Sequence, residues 1–129
     1  MTTAEIFAQD KMMQLLGAEL VHCEPGHFVI EMEVTEQHVQ QHQTCHGGAI
    51  FALADAAFGI AANNEGRPAV SQHCSINYLR PAPLGQRIRA ESVRRSTSGR
   101  TDIFDVRVTD REGEVIAELR GTARILKPR

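Results

Sequence analysis

The sequence predicts an α+β protein in which one antiparallel β-sheet is wrapped around a long central α-helix. The chain has 129 residues, which suits a single domain over residues 1–129 with one core. Six short segments alternate apolar and polar residues with the period of two that is typical of strands. One central segment, Ala49 to Asn63, is apolar on every side at helical spacing, so we expect a helix that is buried all round.

The first half of the chain supplies a helix and a hairpin before the central helix. Residues from Ala4 to Leu16 carry apolar side chains three and four positions apart, and Gly17 follows them, which predicts one amphipathic surface helix. The segments Ala18 to Cys23 and Phe28 to Val34 then change to period two. The turn residues from Glu24 to His27 lie between them and predict a β-hairpin.

The second half supplies four more strands. A polar break from Asn63 to Pro68 ends the central helix. The strands that follow are Ala69 to Arg80, Gln86 to Arg95, Thr101 to Thr109 and Glu114 to Leu126. Each has a single apolar face, and short connections favour antiparallel neighbours, so one sheet around the helix is the simplest way to bury it.

Charge and composition exclude several classes of protein. The net charge is −2 and the pI is near 6.3, so no global positive field exists to hold nucleic acid or an anionic membrane. The longest apolar run, Ala49 to Ala62, contains Asp55 and falls short of the roughly 20 residues that span a bilayer. Three cysteines without a signal-peptide pattern predict a reducing, cytoplasmic environment.

Asp55 is the ionisable residue of the apolar central helix. An unpaired buried carboxylate is costly, so it needs a partner or a function. One interpretation is a structural aspartate that is hydrogen-bonded to backbone or to an arginine. The other is a carboxylate that acts as a base or nucleophile.

The segment His46-Gly47-Gly48 lies where the central helix begins. Two glycines allow a ligand to approach the backbone, and the first N–H groups of a helix are donors at the positive end of its dipole. This pattern is either a simple turn or an oxyanion hole that polarises a carbonyl. A carboxylate in the same helix favours the oxyanion hole.

The spacing between these two groups predicts an oligomer. Gly47 and Asp55 are eight positions apart, which is about 12 Å along a helix. A base must come within roughly 3 Å of the atom it serves, so the two groups of one chain cannot act on one carbonyl. A two-fold dimer with antiparallel central helices would bring Gly47 of each subunit to Asp55 of the other. We therefore expect an obligate homodimer with composite sites.

Arginines are concentrated in one part of the chain. Six of them and a single acid, Glu91, lie between Arg80 and Arg100. Arginine binds phosphate through paired hydrogen bonds, so this segment fits a phosphorylated small molecule better than a polynucleotide. Alternating solvent-facing charges on amphipathic strands are the other explanation.

Metal binding and cysteine catalysis have little support. Cys45-His46 and His73-Cys74 are adjacent pairs, whereas zinc frameworks space their ligands two to five residues apart. His38 and His42 are four apart but have no obvious third ligand. Cys45 as a nucleophile, with His46 or His73 as base, has no further support. We expect no metal and no separate cofactor.

Three motifs together resemble the hotdog-fold acyl-CoA thioesterases, and most closely their phenylacetate-degradation branch. They are the stretch from His42 to Gly48, Leu53-Ala54-Asp55, and the stretch from Ile76 to Pro81 with Gly85 after it. The similarity covers about residues 10 to 126. It implies a hotdog sheet around a central helix, a dimer that commonly pairs into a homotetramer, and hydrolysis of acyl-CoA without metal.

The resemblance also implies roles for individual residues. Gly47 would offer its N–H to the thioester oxygen, and Asp55 would attack the carbonyl or activate water. Gln40 stands where relatives carry an asparagine that holds this water, and His46 adjoins the oxyanion glycine. Relatives with a serine or threonine shortly after the acid differ from this chain, which has Ala56, Ala57 and Gly59. The residues we expect to contact the substrate are Gly48 and Asn77 from the motifs, and Arg80, Arg95 and Arg100 from their charge.

The sequence therefore predicts an acyl-CoA thioesterase that acts on aryl-acetyl groups such as phenylacetyl or hydroxyphenylacetyl, or on medium-chain acyl groups. Coenzyme A is part of the substrate. One alternative is a hotdog dehydratase or hydratase, which needs a histidine-centred base such as His46. Another is a non-catalytic acyl-CoA-binding module, which has no use for Asp55 on the central helix.

Overall fold

The computed structural model describes residues 1–63 and 67–126. The elements in chain order are α1 Thr3–Gln9, α2 Lys11–Leu16, β1 Glu19–Glu24, β2 His27–Glu33, α3 Gly47–Ala62, β3 Ala69–Tyr78, β4 Arg87–Ser98, β5 Thr101–Thr109 and β6 Val115–Ile125. The predicted α+β class and the order of its elements are confirmed. The break predicted after the central helix falls partly on residues 64–66, which lie outside the described residues.

The six strands form one antiparallel sheet in the order β1-β2-β4-β5-β6-β3. Helix α3 packs across its inner face and contacts β2, β3, β4, β5 and β6. The core between them is mainly aliphatic, with the rings of Phe28, Phe58 and Phe104 fully buried. Strand β3 lies at an edge of the sheet and, among the described strands, pairs with β6 alone. The side of β3 that faces away from β6 is open for pairing with a further strand.

The amino-terminal helix is two helices, where the sequence predicts one. The backbone of Asp10 is extended, with φ −74° and ψ 111°, and this ends α1. The Asp10 carboxylate then accepts a hydrogen bond from the N–H of Met13 and caps α2. Aspartate competes for backbone donors at helix starts, which outweighs the continuous apolar spacing.

The expectation that α3 is buried on every side is wrong for a single chain. Its core side is fully buried, but a stripe along the opposite side is half-exposed or exposed: Gly48, Ala52, Asp55, Ala56 and Gly59. We call this stripe the open face of α3. The sheet curves around only part of the helix, and small residues lie where it stops. Among the residues that the structure describes, no helix is both long and apolar enough to cross a membrane.

Candidate active site

A short loop leads into α3, and Gln40 holds it together. The side-chain Nε2 of Gln40 donates to Thr44 Oγ1 at 2.6 Å, and the side-chain Oε1 of Gln40 accepts from the backbone N–H of His42 at 2.6 Å. These bonds close the turn in which Gln43 has φ 64°. Gln40 therefore fixes the loop before the helix, and its predicted contact with a water molecule stays a prediction.

His46 caps the amino terminus of α3. Its Nδ1 accepts a hydrogen bond from the N–H of Gly48 at 2.9 Å, which places the proton of a neutral ring on Nε2. Its backbone carbonyl accepts from the N–H groups of Ala49 and Ile50. The structure thus gives His46 a capping contact, and a role in proton transfer stays a prediction.

These contacts leave one helix donor available. The N–H groups of Gly48 and Ala49 are occupied by His46, so the sequence-based view that all the first donors are free is too broad. Within residues 1–63 and 67–126, no acceptor is recorded for the N–H of Gly47. A free N–H at the first position of a 16-residue helix combines an unpaired donor with the positive end of the dipole. This geometry suits an oxyanion.

Asp55 lies two turns further along, on the open face of α3. Its carboxylate is half-buried, and Oδ1 accepts a hydrogen bond from Sγ of Cys74 on β3 at 3.6 Å. Burial, with the neighbouring Asp55 charge as the next cause, raises the pKa of the Cys74 thiol to about 11. Cys74 is therefore a protonated donor near neutral pH. Asp55 is accessible to a ligand, and it is less desolvated than the sequence suggests.

A cleft of about 320 Å³ opens beside the start of α3. Its apolar wall comes from Met12 and Leu16 of α2, Val39 of the preceding loop and Ala52 of α3, and its rim includes His46 and Gly48. The cleft therefore reaches Gly48, the residue that follows the Gly47 donor. Apolar lining with a polar rim is typical of a site for an acyl group.

Asn77 and Arg95 lie on the other side of the sheet. Asn77 pairs with Glu118 in the β3–β6 register and points away from α3, because its neighbours Ile76 and Tyr78 occupy the inner face. Both Asn77 and Arg95 line a groove of about 300 Å³ on the outer face. The single chain does not bring them to Asp55, and their assignment to substrate binding stays a prediction.

The local arginine excess is largely neutralised in three dimensions. Arg87 and Arg89 both contact the carboxylate of Glu31, and Arg95 pairs with Asp105 at 2.8 Å. The sequence count missed this because the acids belong to other strands.

Arg80 and Arg100 are the more available cations of that segment. The side chain of Arg80 is half-exposed and forms a long ion pair with Glu114 at 3.5 Å. Arg80 is two residues after Tyr78, whose hydroxyl contacts Gly47 at the start of α3. Arg100 has no ion pair with any described residue. Arg100 lies near the carboxyl-terminal end of α3. Its backbone carbonyl accepts from the N–H of Ile125, and Ile125 pairs with Ala69, which contacts Asn63 at the end of the helix.

Other candidate chemistry is separate from this site. Burial raises the pKa of the Cys45 thiol to about 11, which disfavours the thiolate that a nucleophile needs. Among the described residues, one cluster could hold a metal, formed by His22, Glu24 and His27 on the β1–β2 hairpin. The sequence survey missed it because a turn interrupts the spacing. That no metal serves the reaction stays a prediction.

Comparisons with known proteins agree on one family. The model of the thioesterase superfamily matches residues 42–117. The acyl-coenzyme A thioesterase PaaI of Escherichia coli is 34% identical over 116 residues, which cover 90% of this chain and 83% of that protein. The structure of E. coli PaaI, described as a protein from the phenylacetic acid degradation operon, has a TM-score of 0.93 at 31% identity, covering 98% of this chain and 92% of that one.

Two further solved structures are similar over most of the chain. The TT0310 protein of Thermus thermophilus is 40% identical with a TM-score of 0.86, and the match covers 92% of this chain and 99% of that one. A Streptococcus mutans protein solved with bound acetyl CoA is 28% identical with a TM-score of 0.81, covering 87% and 90%. These matches confirm the hotdog fold.

Proposed function

The chain belongs to the thioesterase superfamily and is an acyl-CoA thioesterase of the hotdog type, and from this premise we propose which groups act and on which acyl chains. The proposal is that the N–H of Gly47 binds the thioester oxygen while Asp55 of the partner subunit acts as base or nucleophile. Aryl-acetyl or medium-chain acyl-CoA is the substrate class.

The free N–H of Gly47 is the observation that carries this proposal. The two N–H groups that follow it are already bonded to His46, so the helix start presents a single donor to a ligand. A fixed backbone donor at a helix terminus stabilises negative charge as it develops on a carbonyl oxygen. The adjoining apolar cleft can hold the acyl group at the same time.

Two features of the geometry support the composite site. Within one chain, Gly47 and Asp55 are separated by about 12 Å of helix, too far to act on one carbonyl. The open face of α3 and the open edge of β3 lie side by side, since Cys74 of β3 contacts Asp55. A second copy that adds its β3 to this edge would extend the sheet and bring the two open faces together. A homodimer is therefore part of the proposal, and pairing of dimers into a homotetramer is its further extension.

The proposed hydrolysis uses water as its co-reactant and needs no cofactor. Asp55 takes a proton from water, whose oxygen bonds to the thioester carbon, and the Gly47 N–H holds the resulting oxyanion. The C–S bond then breaks, the CoA thiolate leaves and is protonated, and the free acid remains. In the covalent alternative, Asp55 itself bonds to the carbonyl carbon, the C–S bond breaks and the CoA thiolate leaves, and water then hydrolyses the mixed anhydride to the free acid and regenerates Asp55. Gln40 is proposed to orient the water.

The acyl group is inferred from the cleft and from the named relative. Met12, Leu16, Val39 and Ala52 offer an apolar surface, which suits a phenyl ring or a medium alkyl chain, and the buried His38 beside them adds a polar group. E. coli PaaI comes from a phenylacetic acid degradation operon, which favours aryl-acetyl groups such as phenylacetyl and hydroxyphenylacetyl.

Release of free thiol from a panel of acyl-CoAs tests the activity and the role of Asp55. The panel contains phenylacetyl-, hydroxyphenylacetyl-, hexanoyl-, octanoyl- and acetyl-CoA. We expect the first four to be hydrolysed faster than acetyl-CoA, and D55A to lose at least about 100-fold in kcat, as for loss of a general base. Full activity of D55A would overturn the assignment, and a wild-type enzyme that hydrolyses none of the panel would overturn the function.

Mixing two inactive variants tests the composite site. Gly47→Pro removes the N–H donor at the first helical position, where proline fits, because His46 before it already has φ −59° and ψ 136°. A heterodimer of G47P and D55A contains one intact site if the two groups come from different subunits. Random mixing of equal amounts after unfolding and refolding should then restore about a quarter of wild-type activity. No recovery in confirmed heterodimers would contradict the composite site.

A further inference from the structure

Strand β3 runs antiparallel to α3 and contacts it at three points in order. The Tyr78 hydroxyl contacts Gly47, the Cys74 thiol contacts Asp55, and Ser71 lies opposite Gly59. Two of these points are the proposed oxyanion donor and the proposed acid. The same strand therefore touches both ends of the site.

The contact at the oxyanion end is a hydrogen bond. Tyr78 donates from its hydroxyl to the carbonyl oxygen of Gly47 at 3.0 Å, and its ring lies within 3.6 Å of where a Cβ of Gly47 would be. The ring limits the space around Gly47, and the hydroxyl holds the carbonyl of the Gly47–Gly48 peptide, which the Gly47 Cα joins to the peptide that carries the donor N–H. This fixes the direction of the first turn of α3.

The contact at the acid end is a thiol–carboxylate hydrogen bond. Cys74 donates from Sγ to Asp55 Oδ1 at 3.6 Å and is half-buried between β3 and α3. Burial and the Asp55 charge raise the pKa of Cys74 to about 11, so the proton stays on sulfur. A donor to one carboxylate oxygen orients the group and leaves the other oxygen for substrate or water.

The spacing of the two contacts matches the spacing of the two catalytic groups. Four residues of strand from Cys74 to Tyr78 span about 13 Å, and eight residues of helix from Gly47 to Asp55 span about 12 Å. The strand therefore holds Gly47 and Asp55 a set distance apart along α3. In the composite site, that distance determines whether both subunits' groups meet one carbonyl.

We propose that Cys74 and Tyr78 are positioning residues of the thioesterase, with Cys74 orienting the Asp55 carboxylate and Tyr78 holding the Gly47 carbonyl and, through it, the first turn of α3 that carries the Gly47 N–H. This inference rests on the proposed function and adds two residues of β3 to its site. Neither side chain takes part in bond making. Each acts through the group that it contacts.

The test for Cys74 compares C74A with C74S. Alanine removes the donor, and serine restores a hydroxyl donor of similar size. We expect C74A to lower kcat about fivefold to tenfold with little change in KM, which is the size of effect of one ordinary hydrogen bond, because a thiol is a weak donor even to a charged group. The acidic limb of its kcat/KM profile should move to higher pH, because the S–H donor stabilises the carboxylate form. C74S should recover most of the lost kcat and return the acidic limb of the profile most of the way to its wild-type position.

The test for Tyr78 is Y78F, which keeps the ring and removes the hydroxyl. We expect kcat to fall severalfold with the pH profile unchanged, because the Gly47 peptide is uncharged. C23A, a cysteine variant on the exposed strand β1, is the matched control and should keep wild-type kinetics. Thermal unfolding of each variant checks that the fold is intact.

The outcomes separate this inference from the proposed function. An inactive wild-type enzyme overturns the proposed function and with it the inference, and a fully active D55A overturns the assignment of Asp55 and with it the role of Cys74. With an active wild type and an inactive D55A, wild-type kcat and pH profile in C74A, or wild-type kcat in Y78F, overturns that residue's positioning role. Loss of kcat in C74A without rescue by C74S also counts against Cys74, since packing alone would explain it.

Discussion

The ring of Phe58 on α3 lies directly over Gly121 on β6. A Cβ added to Gly121 would be 2.6 Å from the Cδ2 and Cε2 atoms of that ring, and Phe58 is fully buried. Real Cβ atoms do not approach other atoms so closely. The missing side chain of Gly121 therefore lets α3 approach the sheet closely enough to place its open face beside β3.

Gly121→Ala is expected to destabilise the protein by about 1–3 kcal/mol, because overpacking forces Phe58 from its place in a filled core. Urea unfolding measures the loss. The double variant G121A/F58L should recover part of it, since the smaller side chain makes room. Equal stability of G121A and the wild-type protein would show that the helix can shift at no cost.

His46→Ala is expected to cost about 1 kcal/mol of unfolding free energy through loss of the helix cap. His46→Asn keeps a capping acceptor and should retain both the stability and the thioesterase rate. Urea unfolding and thiol release measured on both variants check this. If H46N is as stable as the wild-type protein but loses its thioesterase activity, the imidazole itself is needed for the reaction, which would contradict a role limited to capping.

Arg80→Ala and Arg100→Ala are expected to raise KM for acyl-CoA about threefold to tenfold, with a smaller effect for Arg95→Ala. Arg95 is held by Asp105 at 2.8 Å, whereas Arg80 has a loose partner and Arg100 no described one. KM measured at low and high salt is the readout, since exposed charge pairs are screened. A larger effect for R95A would place the CoA phosphates on the outer face of the sheet.

Asp105 is expected to make stability depend on pH in the acid range. Hydrogen bonds from Arg120, and after it Arg95, lower the pKa of Asp105 to about 2 from 3.8. As the pH falls, Asp105 takes up a proton at a higher pH in the unfolded chain than in the folded protein. This stabilisation is therefore present above about pH 4 and is lost as the pH falls through 2. Asp105→Asn should cost about 1 kcal/mol at pH 6, because the arginines are exposed, and less at pH 3. A cost that is the same at both values would contradict this.

The sequence predicted the fold well because the signals are local and consistent. Alternation of apolar residues located every strand, and the glycine and proline turns between them located the connections. The errors lie where one side-chain contact overrides the periodicity. Asp10 divides the amino-terminal helix by capping α2, and His46 extends α3 back to Gly47.

The site was predicted only in part. The pattern His46-Gly47-Gly48 and the acid Asp55 are visible as motifs, since each stands out from its neighbours. Cys74 and Tyr78 carry no such signal, because their partners are 19 and 31 residues away. The stretch from Ile76 to Pro81 contains Tyr78, and Cys74 lies two residues before it, but only the register of β3 against α3 gives the two side chains their contacts.

By itself, the sequence determined the α+β class, the central helix, and the separation of about 12 Å between Gly47 and Asp55, because repeat period and helical rise are properties of the chain. The tertiary structure alone decided which helix donor is free, which side of α3 is open, and which arginines are already paired. Those depend on residues from different strands meeting across the sheet. The segment from Arg80 to Arg100 is strongly positive as sequence, yet Glu31 and Asp105 neutralise much of that charge in the fold.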